Sequence, residues 1–147
     1  MFQEGILAST PSQADLQIVT FFLDREEYGI DVMAVREIIN MTEITKMANA
    51  PPHIEGIINL RGQIVPIISL RKRFGLGEGS GGFFSCIAVL DFGGALSGFI
   101  IDEVSDVLRI NRNELLPPLD MAAEPWVQGM LSLDQRLVII MNLEHLA

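Results

Sequence analysis

The sequence predicts a mainly β protein made of two small barrels of about five short strands each, with one short helix per barrel. Three observations predict this fold class: a stretch of sequence that occurs twice, short apolar runs separated by polar turn residues, and a glycine-rich segment between the copies. The chain has 147 residues, of which 49% are hydrophobic. A chain of this length and composition can bury a core without help from a metal or a disulfide.

The repeat gives the chain its organisation. A shift of 73 positions, from residue 54 to residue 127, lays Ile54–Leu70 over Val127–Leu143. Five aligned pairs are identical: Gly56/Gly129, Leu60/Leu133, Val65/Val138, Ile67/Ile140 and Leu70/Leu143. A weaker match lays Ile18–Ile39 over Ile87–Leu108. The same order of elements is therefore expected twice.

Each copy is predicted to begin and end with a hairpin, because β-rich runs flank short polar segments. The opening hairpins pair Leu16–Leu23 with Tyr28–Ile30, and Phe84–Phe92 with Leu96–Ile101. The closing hairpins carry Arg61-Gly62 or Asp134-Gln135 near their tips. A short helix is expected between the hairpins of each copy: Val32–Ile39 capped by Asp31, and Glu103–Leu108 capped by Asp102.

The domain boundaries follow from the repeat and from the glycine-rich segment. We expect a flexible tail over residues 1–14, a first barrel over about 15–74, a linker over 75–82 and a second barrel over about 83–147. The sequence leaves open whether strands are exchanged between the barrels.

Composition and charge exclude several partners. Nineteen acidic residues against ten basic ones give a formal charge of −9, which repels nucleic acid and anionic lipid. The apolar runs are far shorter than the roughly 18 residues that a membrane span requires. The N-terminal residues have neither a basic nor a sustained apolar region, and the single cysteine, Cys86, lies in an apolar run as a buried thiol would. A cytoplasmic protein is expected.

Motifs for catalysis or for a cofactor are weak. A Gly-x-Gly-x-x-Gly pattern occurs at Gly77, Gly79 and Gly82, but a strand-like run follows it where a dinucleotide site needs a helix. The two histidines, His53 and His145, have no partners at metal-ligand spacing. No catalytic residue, cofactor or metal is therefore predicted.

Two charged residues, Glu37 and Arg61, are candidates for a role in recognition, because stability alone does not require them. One is placed on the first short helix and the other at a hairpin tip, where an exposed ion pair would add only about 0–1 kcal/mol. The repeat aligns them with Asp106 and Asp134, two like charges that cannot pair with each other. A recognition role for Glu37 and Arg61 and a solvated surface role are both open on this argument.

Several segments together resemble the bacterial CheW chemotaxis coupling family. They are Arg36-Glu37-Ile38, Gly56–Pro66 with its Asn-Leu-Arg-Gly-Gln-Ile-Val-Pro, Gly98–Val107 and Gly129–Leu146. The resemblance implies two SH3-like five-stranded barrels. It also implies a non-enzymatic adaptor that couples the cytoplasmic tips of chemoreceptors to the regulatory domain of a CheA-type histidine kinase, in the cytoplasm and recruited to membrane-associated receptor arrays.

The resemblance also implies two sets of site residues. The kinase-binding positions are Val19, Val32 and Val35, although Val32 and Val35 suit the core equally well. The receptor-binding positions are Glu37, Ile38, Gly56, Asn59, Arg61, Gly98, Val104 and Val107. The alternative from another class is a small-molecule-binding or hydrolytic β-barrel protein, which would need a deep polar pocket with convergent titratable groups.

Overall fold

A computed structural model of the chain describes residues 15–76, 85–117 and 124–146. Ten strands account for most of them: β1 (Asp15–Leu23), β2 (Glu26–Asp31), β3 (Val35–Asn40), β4 (Ile54–Leu60), β5 (Gln63–Ser69), β6 (Cys86–Phe92), β7 (Ala95–Ile101), β8 (Glu103–Asn111), β9 (Val127–Leu133) and β10 (Arg136–Met141). One helical turn, α1 (Leu70–Arg73), and 3-10 turns at Val32–Ala34, Arg112–Glu114 and Leu143–Leu146 complete the described elements. The mainly β prediction is confirmed.

The strands form two five-stranded sheets. Sheet 1 has the order β8-β1-β2-β10-β9, and sheet 2 has the order β3-β6-β7-β5-β4. The β2–β10 and β5–β7 contacts are parallel, and the other neighbours are antiparallel. Each sheet therefore contains strands from both sides of the predicted linker.

The two sheets have the same plan. Replacing each strand of sheet 1 by the strand five places away in the chain gives the order of sheet 2. A closed barrel would need backbone pairing between the two edge strands of each sheet, β8 with β9 and β3 with β4. Neither pairing occurs among the described residues, so the closed barrels that the sequence predicted are not found. The structure has two open sheets of five strands.

Three apolar clusters hold the sheets together. The largest, which we call the between-sheet cluster, takes residues from both sheets, among them Val19, Phe21, Ala88, Leu90 and Phe99. A second lies within sheet 1 and is built from Leu16, Ile18, Ile110, Leu131, Val138 and Ile140. A third lies within sheet 2 and is built from Ile58, Val65, Ile67, Ile87, Val89 and Leu96.

Strands β1 and β6 contribute to two clusters each, because side chains of a strand alternate between its faces. Along β1, Leu16 and Ile18 enter the cluster within sheet 1, whereas Val19 and Phe21 enter the between-sheet cluster. Both faces are buried over residues 18–21 of β1 and 86–90 of β6, which explains why apolar residues stand at successive positions there, as in Ile18-Val19 and Ile87–Leu90.

The predicted helices over Val32–Ile39 and Glu103–Leu108 are wrong, since most of each segment is an edge strand. Both strands contain an irregularity, between Val35 and Glu37 in β3 and opposite Thr20/Phe21 in β8. One extra residue lets side chains three positions apart share a strand face, as in Val35 and Ile38. That spacing is the helical signature on which the prediction was based.

The local turn predictions fare better. All four predicted hairpins are present as β1–β2, β6–β7, β4–β5 and β9–β10. Asp31 caps the short turn Val32–Ala34 by accepting a hydrogen bond from the Met33 amide, at 2.9 Å. The predicted tail over residues 1–14 and the Gly-x-Gly-x-x-Gly pattern lie outside the described residues. Within the described ranges, no helix has the length and apolar character to cross a membrane.

Candidate protein-binding surface

Glu37 and Arg61 form an ion pair across the two edges of sheet 2. Glu37 lies on β3, and Arg61 lies in the turn between β4 and β5. Because β3 and β4 are the first and last strands of that sheet, the sheet must curl to bring the two charges together. The Arg61 side chain is 69% exposed, so the pair is presented to solvent.

The position of Arg61 depends on a tight two-residue turn. Arg61 and Gly62 both have positive φ, at 51° and 86°, as a hairpin turn of type I′ requires. The Asn59 side-chain oxygen accepts a hydrogen bond from the Gly62 amide, at 2.8 Å. Asn59 therefore stabilises the turn that holds Arg61 in place.

The apolar members of the predicted receptor set lie on the two edge strands β3 and β8. Ile38 is paired with Ala88, and Val107 with Val19, so each lies beside a member of the between-sheet cluster and on the same face. Ile38 is 40% exposed and Val107 58% exposed. Both therefore lie at the exposed rim of that cluster.

Val104, also on β8, lies at the rim of the same cluster as Val107. It is paired with Phe21, which belongs to the between-sheet cluster, and it remains 36% exposed. Residues 103–107 are exposed throughout, and no strand pairs with the outer edge of β8 among the described residues. An uncovered edge with apolar side chains is a template for another chain.

The structure does not bring the whole predicted receptor set into one patch. Glu37 is paired with Val89, from the cluster within sheet 2, whereas Ile38 faces the between-sheet cluster. The charged pair and Ile38 are therefore on opposite faces of the same edge strand.

Gly56 and Gly98 are buried, which points to packing rather than to direct contact with a partner. A Cβ at Gly56 would lie 2.1 Å from the Thr45 carbonyl oxygen, where the backbone of Thr45 and Ile57 forms a bridge. A Cβ at Gly98 would lie 2.6 Å from the Ile67 side chain. Both glycines allow a close approach of neighbouring chain segments.

The predicted kinase-binding valines are not equivalent. Val19 is 7% exposed and belongs to the between-sheet cluster, while Val32 and Val35 are half-buried and pack against it. Met33, one of the two residues between Val32 and Val35, is 87% exposed and was missed by the sequence reasoning. A signal was available, because Met33 lies off the apolar side that Val32 and Val35 share.

Asp106 also has a partner, which the repeat alignment did not reveal. Arg136, the first residue of β10, lies 3.9 Å from Asp106 and 2.6 Å from the buried Glu27. Burial favours the neutral form of Glu27, but hydrogen bonds from Arg136, Thr20 and Ser105 outweigh it and hold the pKa below the ordinary value of 4.5. Sheet 1 thus carries its own cluster of charges.

Two other ionisable side chains, Arg71 and Cys86, belong to the packing of the fold. Arg71 lies 2.6 Å from Asp24 and 2.7 Å from Asp102, which ties α1 to two turns, and these contacts raise its pKa. Burial raises the pKa of the Cys86 thiol. Within the described ranges, no group of three or more histidines, cysteines or carboxylates is arranged to hold a metal ion.

Exposed apolar side chains on uncovered edge strands and a solvent-facing ion pair are features typical of the class of protein-binding modules. The CheW-like domain model matches residues 17–147. A chemotaxis protein CheW of Klebsiella aerogenes is 38% identical over 133 residues, covering 88% of this chain and 80% of that protein. A chemotaxis protein CheW of Treponema pallidum is 33% identical over 142 residues, covering 88% and 81%.

A solved structure agrees with the sequence relatives. The crystal structure of the scaffolding protein TtCheW from Thermoanaerobacter tengcongensis superposes with a TM-score of 0.83 at 36% identity, over 95% of this chain and 91% of that one. This chain belongs to the CheW-like domain family.

Proposed function

We propose that this chain is a non-enzymatic adaptor that couples chemoreceptors to a CheA-type histidine kinase in a chemosensory array. Membership of the CheW-like family supports the proposal, as do relatives named chemotaxis proteins and a similar structure named a scaffolding protein. An adaptor of this kind acts in the cytoplasm and reaches the membrane by binding the receptors.

The receptor tip binds at the edge strands β3 and β8. The observation that carries this assignment is the pair of exposed apolar side chains Ile38 and Val107 at the rim of the between-sheet cluster. Burying them against a partner removes apolar surface from water, and each buried methylene contributes about 0.8 kcal/mol. The pair of Glu37 and Arg61, on the other face of β3, adds charge complementarity along the same edge, which favours one partner over others.

The regulatory domain of the kinase binds at the 3-10 turn Val32–Ala34. Met33 projects from this turn and is the most exposed large apolar side chain of the described residues. Val32 and Val35 on either side pack against the between-sheet cluster and fix the base of the turn. Methionine suits a docking position, because its flexible side chain adapts to the partner's surface.

The fold itself is an internal duplication of an SH3-like unit. The matching strand orders of the two sheets and the aligned repeat of residues 54–70 and 127–143 support this. The ion pair across the edges of sheet 2 supports a barrel-like curl in that sheet. A duplicated unit offers two related faces, which suits a protein that binds two partners at once.

The test is a three-component co-sedimentation with receptor cytoplasmic fragments and the kinase. The wild-type chain should sediment with both and raise the amount of kinase recovered with the receptor. The double variant Ile38→Asp/Val107→Asp should lose the receptor and keep the kinase. Leu137→Asp is the matched control, since Leu137 is 51% exposed and lies on the β9–β10 hairpin.

The proposal fails if the folded wild-type chain recovers neither partner. The assignment of the receptor face fails if the double variant, shown to be folded by circular dichroism, sediments with receptor as well as the Leu137→Asp control does.

A further inference from the structure

A cleft of about 460 Å³ opens between α1 and the C-terminal 3-10 turn Leu143–Leu146. The described residues that line it are Pro52, His53, Lys72, Arg73, His145 and Leu146. The two turns follow corresponding strands, β5 and β10, and Lys72 and Arg73 align with His145 and Leu146 at the repeat shift of 73. The cleft therefore lies where the two copies meet.

The walls of the cleft are held firmly. Leu70 and Leu143, which begin the two turns, are almost fully buried in the between-sheet cluster. The Ser69 side chain accepts a hydrogen bond from the Lys72 amide at 3.2 Å, and the Ser69 amide donates to the His53 carbonyl oxygen at 2.8 Å. These contacts fix α1 against the segment that carries His53.

The lining is rich in groups that donate hydrogen bonds to anions. It contains one arginine, one lysine and both histidines of the chain, and none of the described lining residues is acidic. Glu55 lies next to Lys72, with Oε1 2.6 Å from Nζ, and so neutralises part of the lysine charge. Arg73, which is exposed, makes no ion pair with the described residues and keeps its guanidinium available.

This concentration of cationic and imidazole groups stands out against the formal charge of −9 on the chain. An oxyanion near most of the surface would be repelled, and only a local cluster of donors could hold it.

We propose that the cleft binds a small phosphate-type oxyanion. A tetrahedral phosphate offers several acceptor oxygens in different directions, which matches donors that arrive from three separate segments. The arginine fork can hold two of these oxygens, and the open mouth leaves room for a group esterified to the phosphate. The site involves neither the edge strands nor the Val32–Ala34 turn, so it is independent of the adaptor proposal.

The two histidines provide a direct readout, because the chain has no others. Inorganic phosphate is titrated into the chain at constant ionic strength while the imidazole proton resonances are followed by NMR. Both histidine signals should shift and saturate together. Chloride at the same ionic strength should move neither signal by a comparable amount.

Arg73→Gln tests the mechanism, and Arg109→Gln, which removes an exposed arginine from β8, is the matched control. The Arg73 variant should need about tenfold more phosphate for half-saturation, because it loses a charge-assisted hydrogen bond to the anion. A tenfold change in affinity corresponds to about 1.4 kcal/mol. The Arg109 variant should bind as the wild type does. Circular dichroism of the Arg73 variant establishes that it is folded.

A second titration uses glycerol phosphate to distinguish a phosphate ester from the free phosphate ion as the ligand. Tighter binding of the ester would identify a phosphate carried by a small molecule, and equal or weaker binding would identify the free ion. The proposal is overturned if the histidine shifts do not saturate, if chloride reproduces them, or if the folded Arg73→Gln chain binds phosphate as tightly as the wild type.

Discussion

Arg61 contacts Glu37 although β3 and the β4–β5 hairpin lie at opposite ends of the strand order of sheet 2. The contact joins two edges that no backbone pairing among the described residues connects. The ion pair lies at the surface on β3, an edge strand of the proposed receptor face. The curl of sheet 2 therefore determines which charges stand beside that face.

Reversing the charge of Arg61 should weaken receptor binding with little change in stability. In Arg61→Glu, two carboxylates face each other at the edge of sheet 2, but the pair is exposed and contributes only about 0–1 kcal/mol to folding. Thermal unfolding and co-sedimentation with receptor fragments measure the two effects.

The swap Glu37→Arg/Arg61→Glu is the control for this prediction. It restores attraction within the pair while reversing its polarity towards the partner. Recovery of receptor binding in the swap would mean that the pair only holds the two edges together, whereas continued loss would mean that the receptor reads the individual charges. Full binding by the single variant would contradict the prediction.

Met33→Asp should weaken binding to the regulatory domain of the kinase and leave the fold intact. The side chain is 87% exposed, so the new charge stays in water in the free chain and is desolvated only when the partner binds. Calorimetric titration of the purified domain against the variant measures the change.

Val32→Asp on the same turn is the informative comparison, because Val32 packs against the between-sheet cluster. It should lower the melting temperature as well as the affinity. Wild-type affinity in the folded Met33→Asp chain would remove the Val32–Ala34 turn from the kinase interface.

Gly56→Ala should destabilise the fold by about 2–5 kcal/mol, from backbone strain and overpacking together. Its φ is 150°, and the added Cβ would lie 2.1 Å from the Thr45 carbonyl oxygen, which is backbone and cannot rotate away. Gly62→Ala is matched to it, since Gly62 also has positive φ, at 86°, but has no neighbour within 4 Å of the added atom.

The control should lose only about 1 kcal/mol, which is the strain without the clash. Urea unfolding measures both values. Equal losses at Gly56 and Gly62 would show that close packing against Thr45 is not what requires glycine.

Glu27→Gln should lower the free energy of unfolding at neutral pH. It should also make that free energy fall less steeply as the pH is lowered. The carboxylate accepts two hydrogen bonds from Arg136, at 3.0 and 2.6 Å, and its pKa in the folded chain lies below 4.5. A lowered pKa contributes stability that is present above the unfolded-state value and is lost as pH falls through the folded-state value.

The difference in unfolding free energy between wild type and Glu27→Gln should therefore be about 1–3 kcal/mol at pH 7 and shrink below about pH 4.5. Urea unfolding at several pH values from 7 to 3 gives this difference. A difference that stays constant over that range would show that the ionised form of Glu27 gains nothing from its partners.

The sequence predicts the local features well, because they depend on neighbouring residues. The hairpins follow from turn residues such as Arg61-Gly62, and the cap follows from Asp31 before the Val32–Ala34 turn. Edge strands β3 and β8 were misread as helices, since one irregular residue shifts the alternation and places Val104 and Val107 on one face at a spacing of three.

The long-range features could not be predicted in the same way. The ion pair between Arg136 and Glu27 joins β10 to β2, two strands that are parallel neighbours only in the folded sheet. Met33 lies off the apolar side that Val32 and Val35 share, but the sequence does not show how far it projects into solvent. Exposure of one side chain in a three-residue turn depends on how the turn lies on the sheets.

The interleaving of strands means that neither half of the chain is a self-sufficient folding unit. A fragment ending at residue 76 keeps β1 and β2 but lacks β8, β9 and β10, the rest of sheet 1. Each fragment alone would expose unpaired strands, while the two expressed together could complete each other's sheets. The protein thus lends itself to splitting into two complementary pieces whose reassembly reports on folding in the cell.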